Sequence, residues 1–430
     1  MKRLFALILA VVMLLSLCAC SQEKAAESTT ANAESVAAPA ADTGKTVVYW
    51  CMWEATEAQG QAIAESVAQF EQETGIHVDL QFKGRSGIRE GLQPALDAGQ
   101  VIDLFDESTS RLNSIFEPYT LDLEELAAKY NYEETAHASL MNMCRELAGG
   151  TLKTIPYQAS MWGFFYNEAI FEEAGITEVP TTWDEFLNVC EKIKNAGYAP
   201  ITCDDAYCTA MFGHHVGRFV GEEGVTDIVT NGKWDDPAVV QFAKDYEELA
   251  QKGYFVDTIA SNVWPTGQIA DIGAGQAAMY LNGSWLPNEI KDTTGPDFQW
   301  GCFAYPELEG CTYGLEAGVY SAQCYGINKE SEVADEAFQL ITYLTKGEPD
   351  QKLSTMSVGI PADTTNTEWP EMLAAVKPVM ENYSVMWQTY VGANSNADIT
   401  PALKENILKL CGGDITADQF VQNMLAEAGK

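Results

Sequence analysis

The sequence predicts an α/β protein of two lobes, and three observations carry that reading. Its 430 residues amount to roughly two or three domain lengths, more than one small core can organise. Between residues 46 and 105, strand-like and helix-like apolar periods alternate as βαβαβ. After Gly149-Gly150 a second α/β segment begins.

The elements follow in order. Residues 46–50 read as a buried strand with a polar break at 51–55. Ile63, Val67 and Phe70 then fall at i, i+4 and i+7, with Gly75 placed as a C-terminal cap. Ile76, Val78, Leu80 and Phe82 alternate as a strand broken at 83–87, Ile88, Leu92 and Leu96 restart a helix that ends near Gly99, and 101–105 forms a third strand. That pattern forces parallel strands with right-handed crossovers. In the second segment, Ile155-Pro156-Tyr157 leads into an apolar run at 161–166, and Thr182-Trp183-Asp184-Glu185 is a capping box that opens a helix. Residues 201–203 read as a strand ending at Asp204, Asp205 and Tyr207, Pro237 starts another helix, and 277–281 gives a strand ending at Asn282-Gly283-Ser284-Trp285.

Composition excludes several classes. With 47% hydrophobic and 10% aromatic residues, a wholly disordered chain is ruled out. A net charge of −37 repels phosphate backbones, so nucleic acid is not an expected partner. Lys2, Arg3 and the apolar stretch 4–17 read as a signal peptide over 1–19, too short to span a bilayer. Leu17-Cys18-Ala19-Cys20 resembles the lipobox of bacterial lipoproteins, which implies acylation of Cys20 and a membrane anchor. Residues 21–44 lack aromatics, Leu and Ile; together with Cys20 they form a tether over 20–44, reaching roughly 27 Å as a flexible coil. Of the nine cysteines beyond it, Cys203 with Cys208 and Cys302 with Cys311 are the close pairs to consider for disulfides. No CxxC is present and His214 and His215 are adjacent, so neither a metal site nor a cofactor is expected.

Ligands of open parallel sheets bind beyond the carboxyl ends of the strands. The loops expected there carry Trp53, Glu54, Arg85, Ser86, Asp106, Glu107 and Ser108. The competing role for each is that of an ordinary solvated loop residue.

Several segments in a fixed order resemble one family, the extracellular solute-binding proteins of bacterial ABC importers related to maltose-binding protein. They are Phe70-Glu71 with Thr74-Gly75-Ile76, Ile102-Asp103-Leu104-Phe105, Tyr166-Asn167-Glu168, Ala174-Gly175-Ile176, Pro180-Thr181-Thr182-Trp183-Asp184-Glu185-Phe186, Lys194-Asn195-Ala196-Gly197, Gly275-Gln276-Ala277-Ala278-Met279 with Asn282-Gly283-Ser284-Trp285, and Ile360-Pro361-Ala362. The resemblance covers about residues 45–430. It implies a two-lobe periplasmic-binding-protein-like fold (type II) with a hinged inter-lobe cleft. One lobe is expected at 45–157 plus 306–348, the other at 158–305 plus 349–430. A monomer that hands its ligand to permease subunits is implied as well.

The resemblance puts Trp53, Tyr157, Tyr207 and Trp285 around that cleft, where aromatic faces pack on the CH-rich faces of sugar rings, and Glu54, Arg85, Asp106, Asp205 and Asn282 would meet hydroxyls. A carbohydrate, and an oligosaccharide in particular, is the expected ligand. A polyamine or other small cation is the alternative, since acids among aromatics also suit an ammonium group. A secreted glycan-active enzyme is the third reading, but no GxSxG, HExxH or GxxxxGK[ST] motif occurs, so no catalytic residue is assigned. Core packing competes with binding for Trp53 and Trp285, and Trp183 and Trp234 read as packing or turn residues.

Overall fold

The computed structural model describes residues 40–429, so Cys20, the signal peptide and most of the tether lie outside the described residues. Among the described residues, nine strands form one mixed sheet: β1 Thr46–Cys51, β2 His77–Phe82, β3 Leu104–Ser108, β4 Ile155–Asn167, β5 Ala199–Thr202, β6 Ala277–Gly283, β7 Trp300–Phe303, β8 Ala317–Ile327 and β9 Val385–Trp387. Their order is β2-β1-β3-β8-β4-β6-β5, with β7 on β4 and β9 on β8. β1 pairs in parallel with β2 and β3, as the βαβαβ pattern requires, whereas β8 and β4 run antiparallel through the middle.

Local sequence explains the first unit closely. The helix Ala58–Thr74 buries Ile63, Val67 and Phe70 and stops at Gly75, whose φ of 70° lets its N–H reach Glu71 O. Thr182 and Glu185 close both halves of their capping box at the start of Trp183–Asn195, and Asp236 caps the helix that Pro237 begins.

Two hydrophobic cores share the sheet. The smaller gathers Val47, Phe70, Ile88, Leu104, Tyr325 and Phe338, and the larger gathers Phe164, Phe186, Phe212, Tyr246, Tyr280 and Val319. β4 and β8 pass from one to the other: Ile155 and Tyr157 belong to the smaller core, Ala159 to Phe165 to the larger, and β8 changes sides between Ala322 and Cys324. Leu308, Val319 and Tyr320 pack in the larger core although the expected partition gives 306–348 to the other lobe, and Leu353 and Ala362, expected in the second lobe, pack in the smaller.

Two strand boundaries and one helix boundary differ from expectation, and each moves a candidate residue. β3 runs on to Ser108 because β8 continues the ladder beside it, pairing Asp106 with Tyr325 and Glu107 with Cys324. β6 runs on to Gly283 because β4 lies opposite, pairing Asn282 with Gly163. The second helix, Gly84–Asp97, starts earlier than Ile88, so Arg85 stands in its first turn. The nine described cysteines are free thiols, so neither close pair is bridged.

Candidate functional site

A cleft of about 560 Å³ opens over the stretch where β4 and β8 change cores, lined among others by Trp53, Glu57, Arg85, Gln158, Tyr207, Trp285, Glu289, Lys291, Gln323 and Val358. Four expected site residues, Trp53, Arg85, Tyr207 and Trp285, meet there.

Trp53 follows β1 and is largely buried. Its indole N–H donates to the Tyr157 hydroxyl at 2.8 Å, and that hydroxyl donates to Asp106. Asp106 also accepts from the Met52 N–H at 2.8 Å, while Tyr157 stacks on Tyr325 with centroids 4.2 Å apart. Burial raises the Asp106 carboxyl to about 7, against the opposing pull of the Tyr157 and Met52 hydrogen bonds. Asp106 and Tyr157 are therefore supports behind Trp53, not cleft groups, because both are buried within the sheet, Asp106 paired across β3–β8 and Tyr157 across β4–β8. Arg85 lies over the Trp53 ring, 4.6 Å from its centroid, and pairs with Glu57 at 2.8 Å.

The remaining acidic candidates fall elsewhere. Glu54 is exposed and covers Gly84, where an added Cβ would come within 2.1 Å of its Oε1; Glu57, three residues on, supplies the carboxylate at the cleft. Glu107 is buried among Arg89 at 3.2 Å, Arg111 at 3.6 Å and the Ser108 N–H. Asp205 accepts from the Trp264 backbone N–H at 2.8 Å. Asn282 is fully buried and accepts from the Gly283 N–H at 2.7 Å.

On the opposite wall, Tyr207 and Trp285 stand just before the helices Cys208–Asn231 and Leu286–Glu289. Both rings abut buried Trp162, edge-on, with centroids 5.7 and 5.2 Å away. The Trp285 indole folds back across Gly283, so that a Cβ at Gly283 would lie 2.3 Å from it. Thus the small residue before Trp285 makes room for the indole itself, and not for a ligand's approach to the backbone.

The floor was not anticipated from sequence. Gln158 has φ +43° and sits where the β4–β8 register shifts between Tyr157 and Ser160, a bulge that re-aims its side chain. Its amide donates to Ser357 Oγ at 3.2 Å, but its Oε1 is buried with no partner, as is that of Gln323 on β8. Val358, on the adjoining segment, is also left-handed at φ +51°. Backbone strain of this kind costs about 1–3 kcal/mol per residue and clusters at functional sites. Two orphaned acceptors in a cleft are ready for hydroxyl or amide donors. The available signal was their polarity inside the apolar runs 155–166 and 317–327.

Residues 54–349 match the family model described as bacterial extracellular solute-binding protein. The diacetylchitobiose binding protein NgcE of Streptomyces coelicolor is 25% identical over 242 residues, 51% of this chain and 49% of that protein. The multiple sugar-binding protein of Streptococcus mutans is 25% identical over 252 residues, 55% of this chain and 58% of that one. The match thus spans about half the length of these curated relatives. Among solved structures, a probable secreted solute-binding lipoprotein from Streptomyces coelicolor superposes with TM-score 0.73 at 14% identity, over 90% of this chain and 98% of that one. A chitin oligosaccharide binding protein gives 0.66 at 20% over 89% and 98%, and raffinose-bound RafE gives 0.65 at 20% over 89% and 98%. These structural likenesses establish the two-lobe fold, and the extent of the family match establishes that this chain belongs to the bacterial extracellular solute-binding proteins.

Proposed function

We propose that this protein captures a neutral carbohydrate in the cleft and delivers it to the permease of an ABC importer. The observation that carries the reading is the cleft's lining: aromatic rings on both walls, Trp53 against Tyr207 and Trp285, over a floor with two unpaired amide acceptors. Rings stack on the apolar faces of pyranoses, and amides meet their hydroxyls. The sugar-binding relatives support the same ligand class. Charge argues against a polyamine, because the carboxylates at the cleft, Glu57 and Glu289, are matched by Arg85 and Lys291. Nothing in this arrangement calls for bond-breaking, and we read the protein as a binder and not an enzyme.

Calorimetry against di- to pentasaccharides and polyamines tests this reading. A saccharide should bind with an affinity that barely changes between low and moderate salt, whereas steep salt dependence or binding of a polyamine alone would overturn it. The N-terminal reading belongs to the same proposal: Cys20 carries a lipid that holds a monomeric body at the outer face of the cytoplasmic membrane. Cys20→Ser should release the protein into the medium, and retention at the membrane would sink the anchor.

A further inference from the structure

Beside the cleft mouth, three large apolar side chains are exposed within seven residues: Val263 at 56%, Trp264 at 43% and Ile269 at 37%. Isolated exposed apolar residues are ordinary, but a cluster built on a fixed frame is not. The frame here is polar and mostly buried. Asn262 donates its amide to the Cys203 carbonyl at 3.0 Å and to Asp271 at 2.8 Å. The Trp264 N–H donates to Asp205, two residues before Tyr207 of the cleft wall. Gln268 is 2% exposed; its amide donates to Glu289 at 3.0 Å, while its Oε1 is buried without a partner. Glu289 lines the cleft, so the segment 264–268 is hydrogen-bonded at one end beside Tyr207 and at the other to a carboxylate of the cleft wall.

Trp264 is therefore both exposed and held, on a segment hydrogen-bonded to Asp205 and, through Gln268, to the cleft carboxylate Glu289. We infer that Trp264 is the stacking platform of an outer subsite that binds the distal unit of an oligosaccharide whose inner units lie between Trp53 and Trp285. This rests on the carbohydrate reading and deepens it: the preferred ligand is a chain of three or more units. Continuity with the cleft through Glu289 selects a saccharide as occupant over a protein surface. An indole already fixed by its backbone anchor adds contact area at little ordering cost.

Calorimetry with the β-1,4-linked N-acetylglucosamine, β-1,4-linked xylose and α-1,4-linked glucose series, two to five units each, tests the inference on the purified protein. In the series that binds, affinity should rise from two units to three or four. Trp264→Ala should remove about tenfold of that gain and leave the disaccharide within about twofold, while Trp264→Phe should restore most of the gain. Trp285→Ala should weaken every length. If Trp285→Ala weakens all lengths and Trp264→Ala none, the outer subsite falls and the cleft reading stands. Equal weakening of all lengths by Trp264→Ala also overturns it, since that reports displacement of the 262–269 segment. If no series binds, or Trp285→Ala changes nothing, the cleft reading falls and takes this inference with it.

Discussion

Trp53 and Trp285 face the same cleft, yet different forces hold them. Trp53 is fixed by a hydrogen-bond chain through Tyr157 to Asp106, with a guanidinium over its face. Trp285 is fixed by rings, wedged between buried Trp162 and Tyr207 and laid across Gly283. A hydrogen-bonded support is directional and depends on protonation, because its last member is a carboxyl group. A ring-packed support depends on volume. The ring-packed wall should therefore be the more sensitive to truncation, and the two walls should answer protonation with opposite signs.

The largest effect should come from removing the ring-packed support. Trp162 is fully buried against Trp285, Tyr207 and Tyr390, so Trp162→Ala should cost about 3–5 kcal/mol of unfolding stability without ligand, read from a denaturant melt. A loss under about 1 kcal/mol would mean that volume does not hold this wall. Next comes Trp285→Ala, which should weaken ligand binding by about 2 kcal/mol while costing less stability than Trp162→Ala, since Trp285 is only partly buried. Unchanged calorimetric affinity beside a large stability loss would remove Trp285 from the site.

Protonation gives a third, comparable but opposed, pair of effects. Asp106 stands raised from 3.8 to about 7 by burial, so between those values the folded state binds the extra proton and stability grows as pH falls. Behind Trp162 lies His214, with centroids 6.3 Å apart, and burial lowers it from 6.5 to about 3. There the unfolded state binds the proton first, and stability is lost as pH falls below about 6.5. Relative to wild type, Asp106→Asn should fare worse at pH 5 than at pH 7.5 and His214→Leu better, each by on the order of 2 kcal/mol. Shifts of the same sign in paired melts would break the contrast between the walls.

The smallest effect should be at Glu54. Its exposed carboxylate touches neither support, so Glu54→Gln should change affinity by less than about 0.5 kcal/mol. Glu57→Gln, which frees Arg85, should change it more, and calorimetry of the two side by side separates them.

The fold was legible wherever residues obeyed one period. Val47, Tyr49 and Leu104 are buried strand positions, and Ile63, Val67 and Phe70 a helical stripe, so the βαβαβ unit could be read directly. β8 was not, because Ser321 and Gln323 interrupt its apolar run: Gln323 lines the cleft, and Ser321 hydrogen-bonds to Ser160, which lines it. Polar residues at the cleft break the pattern there, as Gln158 does. Of the site, the aromatic anchors and Arg85 were legible, since rings at strand ends leave a sequence signal. The carboxylates Asp106, Glu107 and Asn282's amide were misplaced for one reason: the antiparallel partner that lengthens β3 or β6 is distant in sequence, so the strand's true end is invisible locally. Glu57 in place of Glu54 is a displacement of three residues within the turn that precedes the helix Ala58–Thr74, which periodicity does not resolve.

Gln158 and Gln323 sit on β4 and β8, the strands common to both cores. On the proposed reading, closure of the lobes would move the walls relative to each other while the floor stays adjacent to both. A ligand can thus engage the floor before the walls meet around it. Encounter is then governed by an open, pre-positioned surface, and the time the ligand stays is governed by how tightly the two aromatic walls close. Substitutions on the floor should accordingly alter the association rate constant, and substitutions at Trp53 or Trp285 the dissociation rate constant.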